Sequence, residues 1–269
     1  SSTAVPKPYI DAIAQLNTTI YAGGLFTLVD PSNGNPSVTR GNFVAFDASS
    51  GVLKSVQSPG YTDPVFDGQI RAVKTFGNSV YIGGDFTTVN GISRPRLVKI
   101  NANTGAVDLS FNPKIKGGTV WDLAIWNGTD GSSPVLLVAG SMGKKLISLN
   151  LSTGVNTNYF DMALADPLPG AWGGVAVNRI AINPAGNRLI ATGNFQTANA
   201  ADMGKRIAPH LIGGKGARFA MWLEGTLYSA FYRAGPNLAE SQASPQKIGW
   251  HRQFSKYSAG FYDGHAEYR

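Results

Sequence analysis

An all-β fold made of repeated units is predicted from three observations on the 269-residue sequence. Short apolar runs recur at a regular period. Gly and Pro are abundant, at 33 and 15 residues. Charged residues are sparse, 14% of the chain against about 25% in an ordinary soluble domain. Frequent turns and few charged faces exclude a coiled coil, a helical bundle and a charged disordered tail. No apolar run approaches the roughly 20 residues that a helix needs to span a bilayer. A chain of this length buries a sizeable core as one large or two modest domains.

Four segments carry the repeat. Each has an aliphatic start, a short turn, and a second apolar run that ends in Gly. They are Ile10-Asp11-Ala12-Ile13-Ala14 leading to Ile20-Tyr21-Ala22-Gly23-Gly24, and Ile70-Arg71-Ala72-Val73-Lys74 leading to Val80-Tyr81-Ile82-Gly83-Gly84. Next come Val120-Trp121-Asp122-Leu123-Ala124 leading to Leu137-Val138-Ala139-Gly140, and Val177-Asn178-Arg179-Ile180-Ala181 leading to Leu189-Ile190-Ala191-Thr192-Gly193. The aligned glycines 24, 84, 140 and 193 are 60, 56 and 53 residues apart. Glycine at a fixed place in a strand marks a close backbone approach.

A second signature follows three of the four: Asp47-Ala48-Ser49-Ser50-Gly51, Asn101-Ala102-Asn103-Thr104-Gly105 and Asn150-Leu151-Ser152-Thr153-Gly154. Asp or Asn accepts hydrogen bonds from its own turn, and Gly supplies the positive φ that closes it. With a strand on each side, every period holds about four short strands, the content of one propeller blade. The sequence therefore predicts a β-propeller-type repeat of about four blades over residues 1–197, closed or incomplete, and then a small β-rich or α+β segment over 198–269.

The stretch from Val80 through Gly83-Gly84-Asp85-Phe86, Arg94-Pro95-Arg96-Leu97 and Thr104-Gly105 to Asp108, with Phe111-Asn112-Pro113 behind it, resembles a secreted bacterial β-propeller repeat module. The resemblance covers roughly residues 8–197. It implies a propeller-like fold and an exported context, and it carries over no catalytic residue.

The repeat stops after Phe195-Gln196-Thr197. Residues 1–200 hold 11 Asp and no Glu, whereas Glu224, Glu240 and Glu267 and all three histidines, His210, His251 and His265, lie beyond. That shift marks a boundary near 198–205. In the tail, Arg218–Leu223 and residues 226–232 flank Glu224-Gly225 and read as a hairpin, with helix as the competitor. Asp263-Gly264 between short apolar runs is a strong hairpin signal. The ending from His251 to Asp263-Gly264-His265 resembles that of pilin-like bacterial surface proteins. A start at Ser1-Ser2 reads as a processed, tagged or fragmentary chain.

Chemistry-bearing residues are few. Cysteine is absent, which removes disulfides, thiolate nucleophiles and Cys-ligated metals. Gly140-Ser-Met-Gly-Lys-Lys145 has two residues between its glycines where a phosphate loop has four, and it lacks the hydroxyl after Lys; it reads as a blade turn. Gly213-Gly-Lys-Gly has no βαβ unit around it. Ser141 with Lys144, and Ser244 with Lys247, match a serine-nucleophile spacing without its partner motifs. Without a histidine before residue 210, no Ser-His-Asp triad lies inside the repeat. His251, Asp263 and His265 are suitable ligand types but lack diagnostic spacing. Asp30 to Asn35 is oxygen-rich yet lacks the order of a calcium loop. Asn17, Asn127 and Asn150 head glycosylation sequons. Trp121, Trp126 and Trp172 fit either blade cores or a sugar-stacking rim. Asp67, Asp85 and Asp122, near strand ends, are the carboxylates available to a glycosidase-type site.

From this the expectation is a non-enzymatic module with no catalytic residue, no metal site and no cofactor, its binding residues unassigned. Secreted or at the cell surface, it would offer a binding or structural surface to a protein or glycan, or self-assemble. A pilin-like filament subunit and an extracellular hydrolase or quinoprotein-type enzyme using a central funnel are the alternatives. The net charge of +7 arises from scattered basic residues, with Lys144-Lys145 the densest cluster, so nucleic acid is not the expected partner.

Overall fold

The computed structural model describes residues 7–30, 36–127, 133–160, 163–167, 173–184, 186 and 188–198, with short strands at 201–202, 210–211, 218–223, 257–260 and 266–268. Over these the protein is all-β, with propeller-like repeats. The sole helix among the described residues is one turn, Lys54–Gln57. No helix there is long and apolar enough to cross a membrane.

Each repeat builds one small sheet. Blade 1 consists of Tyr9–Leu16, Thr19–Leu25 and Phe43–Asp47. Blade 2 consists of Ile70–Phe76, Ser79–Gly84 and Leu97–Asn101. Blade 3 consists of Val120–Trp126, Val135–Gly140 and Leu146–Asn150. In each, the middle strand pairs antiparallel with both neighbours. The sequence predicts four strands per period; each blade sheet holds three, and the first two periods add a short ladder outside the sheet, Leu28–Val29 with Val38–Thr39 and Thr88–Val89 with Ile92–Ser93. The fourth is reduced to single bridges, Phe46 with Leu53, Ile100 with Val107 and Leu149 with Asn156. In blades 2 and 3 an Asx turn bends the chain away at once. Asp108 accepts the N–H of Ser110 at 3.0 Å, and Asn156 that of Asn158 at 2.8 Å.

The turns after the third strands form as their sequences predict. Asp47, Asn101 and Asn150 each accept the N–H groups two and three residues ahead, at 2.9–3.1 Å. Gly51, Gly105 and Gly154 close them with φ of +70°, +69° and +76°.

First strands of successive blades pack side by side, so the blades stack face to face around a common line. Alternate residues of a middle strand therefore serve two different cores. In blade 2, Val80 and Ile82 join Tyr21 and Phe43 of blade 1, whereas Tyr81 joins Val120, Leu123 and Leu136 of blade 3. Blades 3 and 4 close over Trp126, Leu137, Val177 and Ile180. Two tyrosines tie the stack in the same way. Tyr21 donates to the Ala102 carbonyl at 3.1 Å and Tyr81 to that of Leu151 at 2.8 Å, each reaching the same turn position one blade on.

Blade 4 starts regularly, with Ala176–Ile182 antiparallel to Arg188–Asn194. Its third strand, Arg218–Leu223, then runs parallel to the second, the reverse of the other blades. Of the first tail hairpin, Arg218–Leu223 is a strand and 226–232 lies outside the described residues. The second exists, with Tyr257–Gly260 antiparallel to Ala266–Tyr268.

Candidate functional site

In all four blades, pairing between the first and second strands slips by one residue at the same place. Ile10 opposes Gly24 and Ala12 opposes Gly23, which leaves Asp11 extra. Arg71, Trp121 and Asn178 are the extra residues of blades 2, 3 and 4. A bulge of this kind re-aims the residue it inserts.

The glycines explain why the bulge is kept. A Cβ on Gly24 would lie 2.0 Å from the Tyr9 carbonyl oxygen, and one on Gly84 2.1 Å from that of Gln69. For Gly140 and Gly193 the corresponding distances are 2.0 Å to Thr119 and 2.1 Å to Ala176. The bulge presses the preceding carbonyl onto the second strand, and only hydrogen fits beneath it.

The re-aimed residues, unlike their scaffold, differ from blade to blade: a carboxylate, a guanidinium, an indole and a carboxamide. Asp11 and Arg71 enter a polar belt across the blades. Arg71 Nε lies 2.8 Å from Asp85 Oδ2, and its Nη1 3.7 Å from Asp11 Oδ2. The Gln69 side chain donates to Asp11, and Thr119 of the third repeat donates its hydroxyl to Asp85. Arg96 donates to the Asp85 carbonyl. Further round, Asp122 accepts the N–H of Leu123 at 2.9 Å and that of Ile180 in blade 4 at 2.8 Å. Arg179 reaches the Trp121 carbonyl at 3.4 Å.

The belt governs the expected carboxylates differently. Burial pushes the Asp122 carboxyl above the ordinary carboxylate range, against the opposing pull of its two backbone N–H donors. Asp67 lies outside the belt and clamps a loop, accepting from Thr87 N at 2.7 Å and Thr88 N at 2.9 Å, and from the Thr87 hydroxyl. Slight desolvation would raise its pKa, but these donors outweigh it and hold the carboxyl at about 2. Each of the three expected carboxylates is thus held by donors of the fold.

The other candidates fall as follows. Lys145 Nζ donates to the carbonyls of Ser141 and Met142 at 3.1 and 2.7 Å, so the Gly140–Lys145 loop closes on its own lysine. Ser141 Oγ accepts the Thr119 N–H at 3.0 Å. Trp126 is buried between blades 3 and 4, its indole N–H 3.3 Å from the Tyr159 hydroxyl. Trp121 is half-buried. Asn17 and Asn127 are exposed, whereas the Asn150 side chain makes its turn. Asp30 accepts from Ser37 at 3.3 Å. Residues 31–35, Trp172, Gly213 to Gly216, Ser244, Lys247, His251, Asp263 and His265 lie outside the described residues, and of His210 only the backbone, in a short strand, is described. Among the described residues no group of three or more His, Asp or Glu is placed to hold a metal.

Asp11, Arg71 and Asn178 were not among the residues singled out from sequence. Their signal lay in a spacing of three between same-face aliphatics, Ile10 and Ile13, Ile70 and Val73, Val120 and Leu123, Val177 and Ile180. Strand alternation allows only even spacings on one face, so an odd spacing marks an inserted residue.

A β-propeller family described as a domain of unknown function, DUF5122, matches residues 78–111, the second and third strands of blade 2 with the turn beyond. The solved structure of a computationally designed protein, Ika8, aligns with 79% of this chain at 13% identity and a TM-score of 0.38. The chain spans 64% of that protein's length. No curated protein matches the chain.

Proposed function

We infer that this chain is an exported, non-enzymatic β-propeller module that presents a binding surface at the cell exterior, and that its ligand-facing groups include the bulge residues Asp11, Arg71, Trp121 and Asn178. One observation carries the reading: a repeated backbone device delivers four chemically different side chains to the same level of four adjacent strands. A structural device alone has no use for that variety. A guanidinium, a carboxylate, an amide and an aromatic face supply the hydrogen bonds and stacking by which glycans and polar peptides are held. Exported context rests on the resemblance of the repeat.

The absence of turnover is part of this proposal. Asp67, Asp85 and Asp122 are engaged by donors of the fold, which favours a structural use of each. The test is retention of the purified chain on immobilised glycan and peptide panels, beside turnover assays on glycoside and ester substrates. Retention that is lost in Arg71→Ala or Trp121→Ala with melting temperature kept supports the reading. Turnover abolished by Asp85→Asn or Asp122→Asn would replace it with the hydrolase alternative.

A further inference from the structure

Three blade interfaces within the chain follow one rule. The forward face of a middle strand offers a small residue to two aliphatics of the next blade. A Cβ on Gly23 would lie 2.3 Å from Ile70 Cγ2 and 3.3 Å from Val73 Cγ2. A Cβ on Gly83 would lie 2.4 Å from Val120 Cγ1 and 3.6 Å from a Leu123 methyl. In the third interface Ala139 takes the glycine's place, in one core with Val177 and Ile180. Two residues earlier on the same strands stand Tyr21, Tyr81 and Leu137, all buried.

Blade 1 carries the receiving half of this rule with no described blade packed on it, although Ala22 and Val44 of the same face pack with Phe26 and Leu53 of their own repeat. Ile10 is 47% and Ile13 67% exposed, while their counterparts Ile70, Val73, Val120, Leu123, Val177 and Ile180 are 0–9% exposed. At the other end of the stack, Ile190 on the forward face of blade 4 is 36% exposed, with no described blade against it. That face does not match. Thr192 stands where Gly23, Gly83 and Ala139 stand, and its Cβ, hydroxyl and methyl would enter the space that the receiving aliphatics fill.

We propose that the open face of blade 1 is a docking site for a further blade of this same repeat, one with Gly or Ala at the Gly23 position, and that it rejects the forward face of blade 4 in a second copy of the chain. The occupant covers Ile10 and Ile13 as blade 1 covers Ile70 and Val73. If it carries a tyrosine two residues before its glycine, that hydroxyl reaches the carbonyl of Ala48, which holds the turn position of Ala102 and Leu151.

Because the chain has no cysteine, single thiols report the face directly. Ile13→Cys, and Val73→Cys as the covered standard, are placed in the full chain. They are also placed in an extended chain, in which a copy of residues 66–119 is joined to Ile10 in place of residues 1–9, so that the connector into blade 3 leads into blade 1. Maleimide labelling at Ile13→Cys should slow by about tenfold or more in the extended chain, towards the rate at Val73→Cys. Gly83→Thr in the copied segment alone should restore fast labelling, and the extended chain should melt higher than the original. Equal labelling of Ile13→Cys in both chains, or no rise in melting temperature, overturns the proposal. Labelling in the unextended chain that slows with concentration, alongside a heavier species in sedimentation velocity, also overturns it by showing a second copy as the occupant.

Discussion

Blades 1 and 2 are nearly the same object placed in different surroundings. Both run from an aliphatic, a bulged polar residue and an alanine to a Tyr-x-Gly-Gly middle strand and an Asx-Gly turn. In blade 2 both faces are covered, and Ile70, Val80 and Ile82 have no exposed surface. In blade 1 the forward face is covered by blade 2 and the backward face only in part, Ala22 and Val44 packing with Phe26 and Leu53 of the same repeat, while the first strand alternates between exposed and half-buried. The difference teaches that the aliphatic pair of a first strand is there for the neighbouring blade. Hydrophobic burial depends on what removes water, and within one blade nothing does.

The first way to break the comparison is at the glycine beneath the bulge, where the largest effect is expected. Gly84→Val places a branched side chain against the Gln69 carbonyl and should cost about 3 kcal/mol or more. Gly143→Val has open space around its Cβ and should cost well under about 1 kcal/mol. Equal shifts of melting temperature for the two would show that the bulge tolerates a side chain.

Next in size, Ile70→Ala should cost about 2–5 kcal/mol in denaturant unfolding, as buried large-to-small changes do. Its counterpart Ile10→Ala, half-exposed, should cost about 1 kcal/mol or less. If the two costs are equal, the open face of blade 1 is covered in solution. Tyr81→Phe then tests the tie between blades. Losing a hydroxyl donor to Leu151 should cost about 1 kcal/mol. Tyr9→Phe, on the exposed face, should be neutral; a loss as large as that of Tyr81→Phe would contradict the open-face description.

The smallest effects are those of pH, and they should have opposite signs in two carboxylates. Asp67 has a pKa of about 2, below its unfolded value, so its contribution is present above the ordinary carboxylate range and is lost as pH falls towards 2. Asp67→Asn should flatten the acid limb of a melting-temperature profile between about pH 4 and 2. Its exposure to solvent keeps the effect small. Asp122 has its pKa raised by burial, so it favours the fold at low pH and less so as pH rises through its folded value. In Asp122→Asn that decline should disappear. A shallower acid loss in Asp122→Asn than in the parent would reverse the sign assigned to its burial.

Much of this architecture was readable from local chemistry. The turns at Asp47, Asn101 and Asn150 need only an Asx side chain and a glycine a few residues apart, so their sequences sufficed. The aligned glycines declared a close approach, and the apolar runs declared middle strands buried on both faces. The sequence by itself thus determined the strands, the turns, the blade period and the position where backbone must meet backbone. What met there was decided by tertiary structure. That the fourth strand shrinks to one bridge, that Asp85 and Asp122 each give one oxygen to a donor from another repeat, and that Asp11, Arg71, Trp121 and Asn178 share one level are facts of the stack. Those partners lie from 14 to 60 residues away in the chain, and such long-range pairs form only once packed faces fix the blades' register.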